Sequence, residues 1–334
     1  MNNSTISRRS FIAGVGATLA GLGLAACGGN ASGGNASTSG EDSYKIGVLQ
    51  LTEHAALDAA NKGFVAALDE SGISYSADQQ NAQNDQSICQ TIASKLVNDG
   101  DDLILAIATP AAQAVAGATT EIPIVATAIT DFAASGLVAA NDAPGGNVTG
   151  TSDLNPVAEQ IDLISKVAPE AATVGLLYCT AEANSLIQVE LAEAELDKLG
   201  LSHDRYTVSS SNEIQSVTES MVGKVDVIYT PTDNVIASGI STVVQIANEK
   251  KVPTICGEEA HVIAGGLISY SVDYEALGHK AGEMAVKILK GEDEPANMPI
   301  EALSVSECKL IANKTTAELL GVDLSQFDGI ETVE

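Results

Sequence analysis

Short apolar runs alternate with segments of helical periodicity along most of the chain. From Tyr44 onward, runs such as IGVLQL and LILAI are apolar almost throughout, and each leads into a segment whose apolar residues recur every three or four positions. Continuous apolar runs are typical of strands that are buried on both faces, and their alternation with helices predicts parallel sheets covered by helices. The pattern therefore predicts an α/β fold.

The same pattern occurs twice. The stretch KIGVLQLTEHAALDAANKGFVAALDESGI (45–73) aligns without a gap with TVGLLYCTAEANSLIQVELAEAELDKLGL (173–201). The similarity continues in DDLILAIATPAAQAVAG (101–117) and VDVIYTPTDNVIASG (225–239), and then in EIPIVATAITD and KVPTICGEEA. Each half reads as strands alternating with helices, and right-handed crossovers make each one doubly wound. We expect two Rossmann-like lobes joined by a hinge with about three crossovers.

The helix-like segment at 274–291 needs a sheet to cover, and the first half of the chain offers one. A final strand near 300–306 is expected to return to the second lobe. The alternative is two independent domains on one linker. The predicted organisation is a signal peptide at 1–26, a flexible tether at 27–43, a first lobe at 44–148 plus 273–293, and a second lobe at 149–272 plus 294–330.

The beginning of the chain carries an export signature. Ser7-Arg8-Arg9-Ser10-Phe11-Ile12 is a twin-arginine pattern, and Leu24-Ala25-Ala26-Cys27 is a lipobox after a short apolar stretch. A buried N-terminal helix is the alternative interpretation. We expect Cys27 to be diacylated and to anchor the protein at the extracytoplasmic face of a bacterial membrane. The Gly/Ser/Asn-rich residues 28–43 are typical of a tether.

The charge and the residue content exclude several function classes. The chain has 44 acidic and 16 basic side chains, a net charge of −28, which argues against nucleic-acid binding. Four Cys follow the lipobox (89, 179, 256 and 308) without a CxxC pair, and four His are scattered without metal-ligand spacing. Hydrolase and nucleotide-binding motifs are missing. We expect a non-enzymatic protein without a cofactor.

Ligands of open α/β sheets bind beyond the carboxyl ends of the strands. The repeat places polar residues at these ends, and the predicted ligand-binding residues are Glu53, Thr109, Gln113, Asp131, Tyr178, Glu182, Asn184, Ser185, Thr232, Asp233, Asn234 and Glu258. These strand ends offer hydroxyls, amides and acids but no Arg or Lys, which favours an amino acid. The ammonium group would pair with Asp131, Glu182, Asp233 or Glu258, and the carboxylate with helix N-termini and hydroxyls such as Thr109 or Ser185.

The two Thr-Pro motifs are expected to be equivalent strand-to-helix turns. Pro110 and Pro231 fit the first turn of a helix, and neighbouring Thr and Asp side chains fit N-caps. The first copy continues with Ala-Ala-Gln, whereas the second continues with Thr-Asp-Asn at 232–234. Because the first copy makes its turn without these polar residues, we assign them to ligand recognition. His54 is interpreted as a packing or hydrogen-bonding residue at the cleft edge.

Several stretches resemble the substrate-binding proteins of ABC transporters with the type I periplasmic-binding fold, in particular the family associated with tryptophan and tyrosine uptake. They are EHAALDAANKGF, ATPAAQA, AITDFAASGLV, NVTGTSD, VGLLYCTAEANS, YTPTDN and LISYSVDYEALGHKAG. The resemblance implies a cleft that binds a small ligand, here an aromatic amino acid, and delivers it to a membrane permease. It implies that the cleft is lined by Thr109, Asp131, Glu182, Asn184, Ser185, Thr232, Asp233 and Asn234. Three residues depart from the family pattern: Ala55, Phe132 and Cys179. Cys179 is the nearest of them to the expected site, so the identity of the ligand stays open.

Other functions fit parts of the sequence. A ligand-sensing lipoprotein of the same fold would have the same sequence features, and the ligand could be a branched-chain amino acid or a nucleoside. A racemase would need one Cys on each side of the cleft, but Cys179 and Cys256 both belong to the second half. A metal-binding lipoprotein would need clustered His ligands. The favoured interpretation is a monomeric solute-binding lipoprotein that hinges closed over its ligand.

Overall fold

The computed structural model describes residues 43–334, so the predicted signal peptide, Cys27 and the tether through residue 42 lie outside the described residues. The strands are β1 (Tyr44–Gln50), β2 (Tyr75–Asn81), β3 (Leu103–Ile107), β4 (Ile124–Ile129), β5 (Val148–Ser152), β6 (Thr173–Cys179), β7 (Ser202–Val208), β8 (Val227–Thr230), β9 (Thr254–Cys256), β10 (Ile268–Ser271), β11 (Glu301–Ala302), β12 (Lys309–Asn313) and β13 (Glu331–Val333). The helices are α1 (Ala55–Ser71), α2 (Gln86–Asp99), α3 (Thr109–Ala118), α4 (Val157–Asp162), α5 (Ile164–Val167), α6 (Ala183–Leu199), α7 (Ile214–Met221), α8 (Asn234–Glu249), α9 (Glu259–Ile263), α10 (Tyr274–Leu289) and α11 (Lys314–Leu320).

The strands form two sheets with the same internal order. The first sheet runs β11-β5-β4-β3-β1-β2, and the second runs β13-β12-β10-β9-β8-β6-β7. The order β2-β1-β3-β4-β5 of the first sheet recurs as β7-β6-β8-β9-β10 in the second, and these strands are parallel. The predicted α/β class and the duplicated, doubly wound arrangement are confirmed. We call each sheet with its covering helices a lobe.

The buried strands explain why the sheets are covered on both faces. All five residues of β3 are buried, as are all six of β4. In the first lobe, α1 packs against α10 and α2 packs against α3. Since a parallel strand buried on both faces needs apolar partners on each side, the continuous apolar runs and the helices specify the same layered arrangement.

Three connections pass from one sheet to the other, between β5 and α4, between β10 and α10, and between β11 and β12. Two predicted boundaries are wrong. β5 hydrogen-bonds to β4, so residues 149–152 belong to the first sheet. The strand expected near 300–306 in the second lobe is β11, which pairs with β5 in the first sheet, and the strand that enters the second sheet is β12. β11 consists of only two residues, Glu301 and Ala302, so its sequence carried little information about its partner strand.

Candidate functional site

A small cavity lies where the carboxyl ends of the strands of both lobes face each other. Its free volume is about 10 Å³, which is the room that one water molecule needs. Its walls are formed by His54, Leu57, Ala128, Thr130, Asp153, Asn184, Thr232, Asp233, Asn234, Glu258 and Tyr274. The first lobe contributes the start of α1 and the end of β4, and the second lobe contributes the starts of α6 and α8. The cavity therefore lies in the cleft that the repeat predicts.

The two lobes touch across this cleft. His54 Nε2 at the start of α1 lies 3.0 Å from Asn234 Oδ1 at the start of α8. Gln188 Nε2 of α6 donates to Thr130 Oγ1 at 3.3 Å. The hydrogen-bonding role predicted for His54 is confirmed, and these contacts hold the lobes in a closed arrangement.

The two Thr-Pro turns differ in structure. In the first lobe, α3 begins directly at Thr109, and Pro110 lies in its first turn. In the second lobe, α8 begins only at Asn234, three residues after Pro231, and Asp233 is its N-cap. The prediction that both prolines start a helix is therefore wrong for Pro231. The additional polar residues of the second copy belong to a longer turn with a side-chain cap, which the first copy does not have.

The Asp233 carboxylate connects three elements of the second lobe. It accepts hydrogen bonds from Ile236 N at 2.8 Å, from Cys179 N at the end of β6 at 2.6 Å, and from Ser185 Oγ of α6 at 2.8 Å. Its side chain thus caps α8 and fixes the end of β6, although it also contributes to the cavity wall. Asp233 is therefore part of what this turn needs, contrary to the expectation from the sequence that the polar residues 232–234 exceed it.

Glu182 is a second buried carboxylate beside Asp233. Its Oε2 accepts from Asn234 Nδ2 at 2.6 Å and from Asn184 Nδ2 at 3.1 Å, and its Oε1 accepts from Val235 N at 3.0 Å. Burial raises the pKa of Glu182, and the neighbouring Asp233 carboxylate raises it further. Burial likewise raises the pKa of Asp233. The hydrogen-bond donors around both side chains oppose these shifts by stabilising the ionised forms.

Two more buried acids line the cavity. Asp153 accepts from the Tyr274 hydroxyl at 2.9 Å, and burial raises the pKa of Asp153 to about 6. Glu258 Oε1 lies 3.2 Å from His261 Nε2, and His261 Nδ1 lies 3.1 Å from Thr230 Oγ1. Burial by itself would raise the pKa of Glu258, but neighbouring groups, His261 foremost, outweigh it, so that this pKa lies below its usual value.

The structure brings only part of the predicted site together. Five predicted residues line the cavity: Asn184, Thr232, Asp233, Asn234 and Glu258. Glu182 and Ser185 lie directly behind them, bonded to Asn234 and Asp233. The other five predicted residues are not among the lining residues of this cavity: Glu53, Thr109, Gln113, Asp131 and Tyr178.

The residues outside the cavity have other surroundings. Glu53 is exposed and lines a separate surface groove. Gln113 donates to Ser135 O at 3.0 Å, and Asp131 accepts from Ala134 N at 2.9 Å within a turn. Tyr178 packs in the hydrophobic core of the second lobe.

Thr109 is a separate case among the residues outside the cavity. Its side chain is buried, and its hydroxyl has no hydrogen-bond partner among the described residues. The hydroxyl belongs to the first turn of α3, where backbone N–H groups lack intrahelical acceptors. It therefore keeps the capacity to bind a polar group that approaches this helix end.

Sequence reasoning missed four polar residues of the cavity: His54, which was predicted only as an edge residue, and Thr130, Asp153 and Tyr274. Asp153 and Tyr274 lie beside connections between the sheets, where helical and strand periodicity ends. Thr130 follows a bulge in β4, at which the pairing with β5 shifts between Ala126 and Ile129. Such bulges re-aim neighbouring side chains, and the sequence did not reveal this one.

The cysteines do not form an acid–base pair across the cleft. Cys179 and Cys256 are buried at the ends of β6 and β9, both in the second lobe, and neither lines the cavity. Burial raises the pKa of Cys179 to about 11 and that of Cys256 to about 12. Thiols with such pKa values are almost fully protonated at neutral pH and supply hardly any thiolate as a base, which does not fit a racemase.

Residues 43–334 lack two other kinds of feature, a metal-binding cluster and a membrane-spanning helix. Nowhere in this range do three or more His, Cys, Asp or Glu side chains come together as metal ligands. None of the helices in this range combines the length and the apolar character that a membrane span requires.

A sequence model described as "ABC transporter substrate binding protein" matches residues 45–327. The chain belongs to the ABC transporter substrate-binding protein family. A "Tyrosine-binding protein" of Clostridioides difficile is 41% identical over 301 residues, covering 89% of this chain and 86% of the relative. These matches confirm the family that the motifs indicated.

Two solved structures of similar identity allow the conformation of this substrate-binding protein to be compared. An ABC domain from Streptococcus pneumoniae in complex with L-Trp is 41% identical, with a TM-score of 0.84, covering 87% of this chain and all of that one. A ligand-free, open substrate-binding protein with adhesive properties from Clostridium difficile is 42% identical, with a TM-score of 0.68, covering 87% of this chain and 99% of that one. The present structure is thus more similar to the L-Trp complex than to the open protein.

Proposed function

We propose that the chain is the extracytoplasmic solute-binding lipoprotein of an ABC importer and binds an aromatic amino acid in the cleft between its lobes. The observation that carries this proposal is the charge of the cavity wall. Its lining residues include the buried acids Asp153, Asp233 and Glu258, and none of the lining residues is Lys or Arg. Such a wall favours a ligand with a positively charged group, and an amino acid supplies one through its ammonium.

The relatives support the choice of ligand. The "Tyrosine-binding protein" and the domain in complex with L-Trp share about two fifths of their residues with this chain. Tyr and Trp combine an ammonium group with a carboxylate and an aromatic ring. In this proposal Asn184, Thr232, Asn234 and Glu258 contact the ligand together with His54, Thr130, Asp153 and Tyr274, and the α3 N-terminus with Thr109 receives the carboxylate.

Binding requires the lobes to separate. The free volume of about 10 Å³ is far below the several hundred Å³ of a site for a drug-sized ligand. The three connections between the sheets form the hinge, and re-closure over the ligand creates the surface that the permease recognises. In this proposal diacylated Cys27 holds a monomeric protein at the outer face of the membrane, where it delivers its ligand.

A thermal-shift screen tests the proposed ligand. Purified protein is heated with L-Trp, L-Tyr, L-Phe, L-Leu or a nucleoside at increasing concentration. A ligand present at 100 times its Kd adds about 2.7 kcal/mol to the free energy of unfolding, so an aromatic amino acid should raise the melting temperature by several degrees. A response to L-Leu or the nucleoside without any response to the three aromatic amino acids would show that the ligand assignment is wrong.

A further inference from the structure

Three buried acceptor atoms around the cavity have no hydrogen-bond partner among the residues that the structure describes. They are His54 Nδ1, Asn184 Oδ1 and Glu258 Oε1, and all three residues line the same cavity. Glu258 Oε1 lies 3.2 Å from His261 Nε2, but the two atoms do not have hydrogen-bond geometry, so this oxygen keeps its capacity to accept. Buried polar atoms are nearly always hydrogen-bonded in folded proteins. Three unsatisfied acceptors around one small space therefore indicate a bound group that donates hydrogen bonds to them.

The orientation of two of these acceptors follows from Glu182. Its Oε2 accepts from the Nδ2 groups of both Asn184 and Asn234. Each amide therefore directs its NH₂ group toward Glu182 and presents its oxygen elsewhere. The Asn184 oxygen remains without a partner, whereas the Asn234 oxygen lies 3.0 Å from His54 Nε2.

The tautomer of His54 follows from the same contact. An amide oxygen can only accept a hydrogen bond, so His54 Nε2 must carry the proton that it donates to Asn234. In the neutral imidazole the other nitrogen, Nδ1, is then an acceptor. Glu182 thus determines, through two asparagine amides, that both His54 and Asn184 present acceptors.

The number and the charge of the acceptors identify the group that fits. A water molecule donates two hydrogen bonds, whereas a primary ammonium donates three and accepts none. The pKa of Glu258 lies below its usual value, so this acceptor is anionic at neutral pH, and Asp153 and Asp233 are two further acids in the wall. A carboxylate or phosphate would bring only acceptors to a site that already lacks donors.

We propose that His54 Nδ1, Asn184 Oδ1 and Glu258 Oε1 bind the ammonium group of the amino-acid ligand, and that Glu182 is a positioning residue that orients the first two without contacting the ligand. The inference rests on the proposed function, because it takes the ligand to be an amino acid. It assigns Glu182 a different role from the direct ammonium contact that the sequence suggested.

Ligand pairs that differ only in the ammonium group test the assignment. Isothermal titration calorimetry compares L-Trp with indole-3-propionate, and L-Tyr with 3-(4-hydroxyphenyl)propionate, on the purified protein. Since charge-assisted hydrogen bonds are the strong ones, we expect the deaminated compound of each pair to bind at least about tenfold more weakly. This comparison needs no substitution and is therefore independent of folding defects.

Variants then locate the ammonium contacts. Glu258→Gln, Asn184→Leu and Glu182→Gln should each weaken L-Trp binding about tenfold and leave indole-3-propionate binding within about twofold. A structural defect would instead weaken both ligands, so the ratio of their affinities separates positioning from general damage. Glu259→Gln is the matched control, because this neighbouring acid lies outside the cavity wall and should change neither affinity.

The outcomes distinguish the two proposals. If none of the aromatic amino acids binds, the proposed function is wrong and the ammonium assignment falls with it. If L-Trp and indole-3-propionate bind the unmodified protein equally well, or if the variants weaken both alike, the proposed function stands and the ammonium assignment is wrong. A selective loss of L-Trp affinity in the variants supports both.

Discussion

At the residue scale, the buried carboxylates of the cleft differ in what their oxygen atoms bond to. All three hydrogen bonds of Asp233 come from the second lobe, from Ile236, Cys179 and Ser185. Glu258, by contrast, keeps an oxygen without a hydrogen-bond partner in the described part of the chain. Both are acids near strand ends, and the sequence pattern could not separate the structural one from the one available to a ligand.

The two Thr-Pro turns should respond differently to substitution. Asp233→Ala removes the α8 cap and leaves the amide of Cys179 without its acceptor, so we expect it to lower the free energy of unfolding by about 1–3 kcal/mol. Thr109→Val at the first turn replaces a buried hydroxyl that has no described partner, so it should be neutral or stabilising. Urea denaturation monitored by circular dichroism measures both, and equal effects would contradict the distinction.

Asp153 makes stability depend on pH. Burial raises its pKa from 3.8 to about 6, so the folded protein binds a proton here that the unfolded chain has already released. The free energy of unfolding should therefore fall as the pH rises from about 4 to about 6, by up to roughly 3 kcal/mol from this group.

The variant Asp153→Asn isolates this effect from the background of a chain with net charge −28. An amide can still accept from Tyr274 but does not titrate, so the decline in stability between pH 4 and pH 6 should be shallower than in the unmodified protein. Denaturation midpoints measured across this range provide the comparison. Parallel curves for the two proteins would argue against a raised pKa at this position.

At the element scale, the close contact between α1 and α10 shows what the sequence does and does not predict. A helix over 274–291 was expected to cover the first lobe, and α10 does so by packing against α1. The contact depends on glycines: a Cβ on Gly278 would lie 1.9 Å from Ala60 O, and one on Gly63 would lie 2.0 Å from Glu275 O. Periodicity predicts such a helix and its apolar face, but the partner and the distance depend on contacts far apart in sequence.

Two glycine substitutions should have opposite effects. Gly278→Ala forces α10 away from α1, so we expect it to lower the free energy of unfolding by about 1–3 kcal/mol. Gly117→Ala in α3 meets no atom within 4 Å, so it should stabilise the helix by about 0.5–1 kcal/mol. Thermal and chemical denaturation of the two variants test this contrast. If Gly278→Ala leaves the free energy of unfolding unchanged, the close packing of α10 on α1 does not require a glycine at this position.

At the scale of the whole molecule, the duplication made the fold predictable, whereas the closed cleft was not. Alignment of 45–73 with 173–201 already indicated two lobes of the same topology. The residues that join the lobes, such as Thr130 and Gln188, occupy different positions in the two copies, so the repeat gives no information about their pairing. Which side chains meet across the cleft depends on the hinge angle, and no local sequence pattern specifies that angle.

Thr130 should influence the balance between open and closed molecules. Thr130→Val removes the acceptor of the interlobe hydrogen bond from Gln188 and preserves the side-chain shape. Loss of about 1 kcal/mol from the closed state changes the open-to-closed ratio about fivefold. Without ligand, the variant should therefore have a larger radius of gyration in small-angle X-ray scattering, and saturating L-Trp should reduce it.

Thr127→Val is the control, since the Thr127 hydroxyl bonds to Thr151 at 2.9 Å within the first lobe. This variant loses a buried hydrogen bond of similar kind, so its stability should fall, but its radius of gyration should match that of the unmodified protein. If the two variants have the same radius of gyration, the Gln188–Thr130 contact does not contribute to closure. The hydrogen bond between His54 and Asn234 would then be the contact that joins the starts of α1 and α8.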